Sequence, residues 1–410
     1  MKKNSQIRVY RGIAIALISF CVLMVGFKLA VTSAISFGGD FFNFWQAGRA
    51  LILRGVSPYD PSTTASIQQG IYGRLAKPSE DQLKYVYPPF ALLVILPSVS
   101  MTYAWAQAYW MAFNLVSIFI ALLVIKKRPP LWLLASLLFF YPVSRTVILG
   151  PFDLVLGASL IIAYGLLNNG KLPSPSKQWF VGILLAWCAM KPQLSGLIIL
   201  FVLLGAVQKK EWRVFAGLVT GAIFFAGISW IFVPTWVSDW IKVIFDYVGY
   251  VPIQPILKTW LATLGLDWSA LWLKLCLLAA GVGLSGWILT AWWKKQLPDF
   301  LALGWLVLVS QLVNPNPKSQ LSDQIIFFLP LVLWLTNPSV KIWLRKIIWA
   351  AFVIVPWVLF GLYFQGKEPY EVASGLGLLF TLWLAGMLIT HFRNKKYDLE
   401  NKQPVEVNSL

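Results

Sequence analysis

The residues of this sequence that could do chemistry are carboxylates, with basic and tyrosine side chains, that lie in or beside long apolar segments. Asp40 follows one such segment, and Asp153 and Asp323 stand near the starts of two others. Charged residues are costly in apolar segments, so they tend to face a cavity and to be functional. The only histidine, His391, stands at the end of the last apolar segment, beside Arg393. A general base would therefore be a carboxylate, a lysine or a tyrosine.

The amino-acid composition indicates the class of fold that positions these residues. The 410 residues are 58% hydrophobic and only 12% charged, and 22 of them are tryptophan. This balance is far from that of a soluble globular protein. It predicts an all-α polytopic membrane protein, organised as a single transmembrane domain over residues 1–410.

Twelve apolar segments are candidates for transmembrane helices, since a span needs about 20 residues. They cover residues 12–37, 104–125, 131–148, 152–168, 178–190, 192–208, 214–233, 269–292, 299–313, 322–336, 347–364 and 371–391. Residues 88–100 are also apolar, but prolines bound them and they are only about half the length of a span. We expect this segment to lie on or dip into the outer leaflet without crossing.

The charge distribution predicts the orientation of the chain. If residues 88–100 do not cross, the inner side carries 21 Lys and Arg against 5 Asp and Glu, and the outer side carries 12 against 11. Basic residues accumulate on the cytoplasmic side of membrane proteins. Both termini are thus predicted to be cytoplasmic. We attribute the net charge of +18 to the basic residues that set this orientation. We expect no nucleic-acid partner, because no soluble module carries clustered basic and aromatic residues.

Two outer segments are long enough to hold a site. Residues 38–103 contain an amphipathic stretch suited to an interfacial helix, a turn at Ser57-Pro58-Tyr59-Asp60-Pro61 and the proline-bounded segment. Residues 234–268 are rich in Trp, Tyr and Pro, as is typical of chain at headgroup level. The candidate site residues on the outer side are Asp40, Arg49, Lys84, Tyr87, Arg145, Asp153, Lys191, Gln193, Lys318 and Asp323.

Several of these residues also have a purely structural interpretation. Asp40 could cap the helix that follows it, Arg145 and Asp153 could form an ion pair, and Lys84 could anchor an interfacial helix. Lys191 has apolar neighbours on both sides, which favours a functional role. No acidic cluster demands a cation, so neither a metal nor another cofactor is expected.

Glycine motifs inside the spans indicate packing instead of ligand binding. Gly281–Gly286 matches the spacing of a dinucleotide-binding loop, yet it lies within an apolar span and follows no strand. We expect close helix packing there, and also at Gly217 and Gly221, which are four residues apart.

The order of short motifs along the chain resembles the polyprenol-phosphate-mannose-dependent mannosyltransferases, which include the phosphatidylinositol mannoside mannosyltransferases. The motifs cover most of the chain. They are Gly39-Asp40-Phe41, Gly55-x-Ser57-Pro58-Tyr59-Asp60-Pro61, Tyr87-Pro88-Pro89-Phe90-Ala91, Leu149-Gly150, Met190-Lys191-Pro192 and Asn314-Pro315 leading to Asp323. The chain departs from that pattern at Pro151-Phe152-Asp153 and Ser322-Asp323-Gln324, where other members tend to have Gln or Asn and often His.

The resemblance implies a GT-C type membrane glycosyltransferase of the plasma (inner) membrane with its active site on the extracytoplasmic face. It implies a polyprenyl-phosphate sugar donor, a lipid or glycan acceptor and a hexose, mannose above all, as the transferred group. Asp40 matches the essential acidic position and would be the general base. Lys84, Arg145 and Lys191 would stabilise the phosphate, while Asp153 and Asp323 would hold sugar hydroxyls.

Two other classes of function fit some of these features. A transporter or lipid flippase would also contain interrupted helices and buried charges, but the chain shows no internal repeat and its longest hydrophilic segment follows the first span. A structural subunit of an envelope-polysaccharide complex would require no single carboxylate.

Overall fold

The structure is a computed structural model, which describes residues 2–32, 39–168, 173–250, 260–261, 264–266, 271–313, 321–366 and 368–400. All regular structure in these ranges is helical. Six helices are long and apolar enough to cross a membrane, or seven if one bent pair counts as a span. The predicted all-α polytopic membrane fold is thus confirmed. Of the expected spans, residues 152–168, 178–190, 192–208, 299–313 and 322–336 correspond to helices shorter than 18 residues or to a short helix pair.

The chain forms two compact units, the first made of residues 1–255 and 314–328. Its α-helices are α1 Lys2–Phe27, α2 Gly39–Arg54, α3 Pro61–Tyr72, α4 Tyr103–Ile125, α5 Leu131–Ser136, α6 Tyr141–Leu149, α7 Asp153–Asn168, α8 Pro175–Cys188, α9 Pro192–Gln208, α10 Arg213–Phe232 and α11 Trp236–Tyr250. A π-helical turn, Lys28–Thr32, extends α1, and 3₁₀ helices cover Pro89–Ser98, Leu137–Phe139 and Asp323–Phe327.

The segment expected as one span at residues 131–148 is instead two short helices. The chain bends by 54° between residues 131–139 and α6. Pro142 is the second residue of α6, and it has no N–H to donate to the preceding turn. Proline therefore ends the first helix and starts the second, so that α6 enters the unit at a new angle.

The turn predicted at residues 57–61 is followed directly by α3. Asp60 is the N-cap of α3, where its Oδ1 accepts a hydrogen bond of 2.8 Å from the Ser62 N–H and Pro61 occupies the first turn. The proline-bounded segment forms the ten-residue 3₁₀ helix Pro89–Ser98. At about 2 Å per residue this helix is about 20 Å long, shorter than a hydrocarbon core of about 30 Å.

Glycines allow α8 and α10 to pack backbone against backbone. A Cβ at Gly217 would lie 2.2 Å from the Trp179 carbonyl oxygen, and one at Gly221 would lie 2.9 Å from the Ala186 Cβ. The packing predicted for these two glycines is confirmed. It is wrong for Gly283 and Gly286, where a Cβ would meet no atom within 4 Å.

The second unit consists of residues 256–313 and 329–410. It contains α12 Leu271–Trp293, α13 Asp299–Val313, most of α14 Phe328–Leu335, α15 Ile342–Tyr363 and α16 Tyr370–Glu400. Its core includes an aromatic cluster in which Trp383 contacts Trp334, Phe352 and Phe380 at ring distances of 5.4 to 6.2 Å. His391 lies near the end of α16, 2.8 Å from the Gln296 carbonyl oxygen.

Candidate active site

Three buried charges meet in the first unit and form what we call the ionic cluster: Lys191, Asp153 and Asp323. Lys191 Nζ lies 2.6 Å from Asp153 Oδ1 and 2.5 Å from Asp323 Oδ1. All three side chains are at most 3% exposed. With one cation and two carboxylates the cluster has a formal charge of −1. Each carboxylate gains a charge-assisted hydrogen bond, which offsets part of the cost of burial.

Helix ends place the three charges. Asp153 lies in the first turn of α7, where the helix dipole favours a negative charge. Lys191 precedes Pro192, the first residue of α9, and the residue before a proline avoids helical geometry. Asp323 begins the 3₁₀ helix Asp323–Phe327. All three charged residues therefore lie at or just before the start of a helix, where the first backbone N–H groups have no partner within the helix.

One carboxylate oxygen of the cluster has no hydrogen-bond donor among the described residues. Asp153 Oδ2 is buried and accepts no hydrogen bond from the part of the chain that the structure describes. A buried carboxylate oxygen without a donor is unfavourable, so this oxygen is suited to accept a hydrogen bond from a bound hydroxyl group.

Tyr87 faces the ionic cluster from the first outer segment. Its hydroxyl is within electrostatic range of all three charges and of Asp40. Burial raises the pKa of Tyr87, so the hydroxyl stays protonated and can donate a hydrogen bond. The Tyr59 hydroxyl donates a bond of 2.7 Å to the Tyr87 carbonyl oxygen, which fixes the backbone at this point. Tyr59 belongs to the turn that the sequence singles out.

Aromatic packing fixes the position of Tyr87 and of α2 together. The Tyr87 ring meets Phe44 of α2 and Phe152 edge to face, at centroid distances of 5.4 and 5.1 Å. Phe44 and Phe152 stack at 4.2 Å. Because Phe152 immediately precedes Asp153, this stack joins α2 directly to the ionic cluster.

Asp40 lies at the start of α2, in its first turn, and is half-buried. It is helical itself, so its carboxylate stabilises the helix through the dipole, whereas an N-cap residue would lie outside the helix. The next residue, Phe41, is fully buried and stacks on Trp110 at 5.5 Å. The Asp40 charge acts on the Tyr87 and Tyr103 hydroxyls, and Tyr87 is the side chain on which the charges of Asp40 and of the ionic cluster both act.

The other predicted residues are described by their own contacts and burial. Arg49 donates to the Val99 carbonyl oxygen at 2.9 Å and lies over the Trp45 ring at 4.7 Å, which is a structural contact. Arg145 is half-buried on α6, and Gln193 is exposed on the first turn of α9. Lys318, Asn314 and Pro315 lie outside the described residues.

Lys84 lies on the surface, where its Nζ pairs with Asp246 Oδ2 of α11 at 2.8 Å. That ion pair lowers the pKa of Asp246. The lysine predicted to bind phosphate, or to anchor an interfacial helix, is thus paired with α11. No candidate site residue was predicted on this helix.

No three His, Cys, Asp or Glu side chains in the described ranges are grouped closely enough to hold a metal ion. What the arrangement offers is a half-buried carboxylate, two buried carboxylates bound to an ammonium group and a protonated tyrosine hydroxyl. These groups can accept a proton from a hydroxyl and hydrogen-bond a polyhydroxylated ligand.

Comparison with known families agrees with this chemistry. The family model described as glycosyltransferase family 87 matches residues 85–315, which is more than half of the chain and includes Tyr87, Asp153 and Lys191. No curated protein and no solved structure matches. The family match, together with the spanning helices, favours a transferase over a transporter, a flippase or a subunit without activity. The chain belongs to glycosyltransferase family 87 and is a membrane glycosyltransferase.

Proposed function

We propose that this glycosyltransferase transfers a hexose, with mannose as the first candidate, from a polyprenyl-phosphate donor to a lipid or glycan acceptor on the extracytoplasmic face. The observation that carries the proposal is the ionic cluster of Lys191, Asp153 and Asp323, whose charges act on the Tyr87 hydroxyl together with that of Asp40. The family match supports the transferase class, and the resemblance in motif order supports the donor type.

In the proposed reaction the acceptor oxygen forms a bond to the anomeric carbon of the donor sugar. The bond from that carbon to the phosphate oxygen breaks, and its electron pair leaves with the phosphate. Asp40 takes the acceptor proton. It suits this role because it is half-buried, within reach of a substrate, whereas Asp153 and Asp323 are fully buried and bound to Lys191.

The ionic cluster suits the sugar better than the phosphate. Its ammonium group is already bound to two carboxylates, and those carboxylates can accept hydrogen bonds from sugar hydroxyls. We therefore assign Asp153 and Asp323 to sugar binding. Lys191 holds both carboxylates in place, a more specific role than the phosphate contact expected from the sequence.

An apolar groove supports a donor with a hydrocarbon chain. It is shallow, with a cavity volume of about 20 Å³, and lies between α2, the 3₁₀ helix Pro89–Ser98 and α10. Its lining is aliphatic and aromatic, and includes Leu51, Phe90 and Phe232. Pro89, one of its lining residues, is two residues after Tyr87 in the chain.

The test is turnover by the purified protein in liposomes that contain one of several polyprenyl-phosphate hexoses and an envelope lipid extract. Mass spectrometry would identify the glycosylated product. We expect transfer from at least one polyprenyl-phosphate donor and none from the matching nucleotide sugar. Transfer from the nucleotide sugar alone would overturn the proposed donor class.

A further inference from the structure

Residues 81–87, which we call the strap, end the connection between α3 and the 3₁₀ helix Pro89–Ser98 and form no helix of their own. The carbonyl oxygens of residues 81, 82, 83, 86 and 87 each accept a hydrogen bond from a side chain outside the strap. The donors are Tyr72, Gln68, Asn43, Trp240 and Tyr59, at distances of 2.7 to 3.0 Å. Side chains thus provide the partners that a helix or a sheet would give this backbone.

Leu83 has the least favourable backbone conformation in the strap. Its φ is +52°, in the left-handed region that a residue with a Cβ rarely adopts. The Leu83 N–H donates to Asp81 Oδ1 at 2.9 Å, and its carbonyl oxygen accepts from Asn43 Nδ2 at 2.7 Å. A strained backbone persists only where its surroundings hold it. One of these two bonds comes from the strap itself, and the other comes from α2.

Asn43 is buried on α2, three residues after Asp40, so the two side chains lie on the same side of the helix. A carbonyl oxygen can only accept a hydrogen bond, so the Asn43 NH₂ group must face Leu83, which fixes the orientation of the amide. The Asn43 Oδ1 is buried and accepts no hydrogen bond from a described residue. Among the described residues, the partner of this amide is therefore the strap.

Phe44, the residue after Asn43, extends the contact between α2 and the strap. Its ring meets Tyr85 and Tyr87 edge to face, at centroid distances of 6.3 and 5.4 Å. The Tyr87 ring also meets Phe152 at 5.1 Å, and Phe152 immediately precedes the α7 carboxylate of the ionic cluster. The strap therefore joins the helix that carries Asp40 to the segment that carries part of the cluster.

We propose that Asn43 is a positioning residue of the active site, whose hydrogen bond to Leu83 holds the strap in the conformation that places the Tyr87 ring against Phe152. The inference rests on the proposed function, in which a sugar lies at the ionic cluster and can accept a hydrogen bond from the Tyr87 hydroxyl. Asn43 acts through Tyr87 and not by contact with the substrate. Without its bond, Leu83 would leave the left-handed region, and Tyr87, four residues later, would lose its position.

The experiment compares Asn43→Leu with Asn114→Leu, because leucine has the same branching as asparagine and no donor. Asn114 is a matched control: it is buried on α4, its Nδ2 donates at 2.9 Å to the Trp110 carbonyl oxygen of its own helix, and its Oδ1 accepts no hydrogen bond from a described residue. Each variant is assayed in liposomes with the polyprenyl-phosphate hexose that wild type uses, and its thermal midpoint is measured.

We expect kcat/KM for the donor to fall about three- to tenfold in Asn43→Leu, the loss typical of one neutral hydrogen bond. Asn114→Leu should stay within about twofold of wild type, with a similar thermal midpoint to Asn43→Leu. Equal kcat/KM values in all three proteins would overturn the inference. Equal losses in both variants would also overturn it, because they would show a general effect on folding.

A double variant tests whether Asn43 acts through Tyr87. Tyr87→Phe keeps the ring and removes the hydroxyl, so a displaced ring has nothing further to lose. The kcat/KM of Asn43→Leu, Tyr87→Phe should therefore lie within about twofold of that of Tyr87→Phe alone. Losses that multiply would show that Asn43 acts on another part of the site, which would overturn the inference.

Tryptic cleavage after Lys84 measures the strap without an activity assay. A protease can cut there only when the strap leaves its hydrogen bonds, so the cleavage rate follows the population of the open form. We expect cleavage about three- to tenfold faster in Asn43→Leu than in wild type, and the wild-type rate in Asn114→Leu. Equal rates in the three proteins would overturn the role of Asn43. Wild type that is inactive with every polyprenyl-phosphate hexose would instead contradict the proposed function.

Discussion

Lys191 and Asp323 are 132 residues apart in the sequence, and their charged atoms are 2.5 Å apart in the structure. The same ammonium group also pairs with Asp153, which precedes Lys191 by 38 residues. One lysine thus fixes the relative positions of α7, α9 and the 3₁₀ helix Asp323–Phe327. The site is assembled by an ion pair network and does not depend on one contiguous motif.

Asp40→Asn should lower sugar transfer by about a hundred- to ten-thousand-fold, because general-base assistance is typically worth that factor. The amide keeps the shape of the side chain, and the lost dipole interaction in the first turn of α2 costs only about 0.3 to 1 kcal/mol. Turnover in liposomes, with donor binding and thermal stability measured in parallel, checks this. Full activity would exclude Asp40 as the base.

Asp153→Asn and Asp323→Asn are the controls for that experiment. Each removes one charge from the ionic cluster and keeps the side-chain shape, and we expect weaker donor binding from each. If one of them abolishes the chemical step while Asp40→Asn is active, that carboxylate is the base.

Lys191→Met should destabilise the protein by about 3 to 5 kcal/mol, because it leaves two buried carboxylates without their cation. The matched control is the triple variant Lys191→Met, Asp153→Asn, Asp323→Asn, which removes all three charges. Its stability should recover in part, while its activity should stay low. Thermal unfolding in detergent measures both differences, and a Lys191→Met protein as stable as wild type would contradict the ion pair network.

Gly150→Ala should destabilise the protein by about 2 to 4 kcal/mol and lower activity. Gly150 has φ +80°, and a Cβ would lie 2.5 Å from the Phe41 Cβ and 3.0 Å from the Trp110 ring. Movement of Phe41 would displace the adjacent Asp40. Gly55→Ala is the control, since Gly55 has φ +65° and a Cβ at this position would meet no atom within 4 Å. Equal losses in both variants would mean that the close contact is unimportant.

The topology prediction is tested by labelling at Lys127, an exposed residue in the loop after α4. In a background without Cys21, Cys188 and Cys276, Lys127→Cys should resist an impermeant thiol reagent in intact cells. Leu75→Cys, at a position that is 62% exposed in the first outer segment, should react. Labelling at residue 127 from outside would show that residues 88–100 cross the membrane.

The sequence predicts the members of the ionic cluster but not their pairing. Lys191, Asp153 and Asp323 stand out because charges in apolar segments are costly. Their meeting depends on how α7, α9 and a distant 3₁₀ helix pack, and no local pattern encodes that packing. The sequence therefore left an ion pair between Arg145 and Asp153 open, whereas Asp153 pairs with Lys191.

Two features of the fold have signals in the sequence that the predictions above did not include. Pro142 in the middle of residues 131–148 marks the bend before α6. The stripe of Trp236, Trp240, Val243 and Tyr247 marks a buried face on α11, although the tryptophans and tyrosines alone suggested only a headgroup-level segment. Glycine spacing alone did not predict close helix packing, because the prediction is confirmed at Gly217 and wrong at Gly283.

The origin of the ionic cluster in three separate segments also sets an order of assembly during synthesis. Asp153 and Lys191 leave the ribosome well before Asp323, and together they form a neutral pair that can enter the membrane at a lower cost than either charge alone. Asp323 adds the second carboxylate, so the ionic cluster is complete only after 323 of the 410 residues have been made.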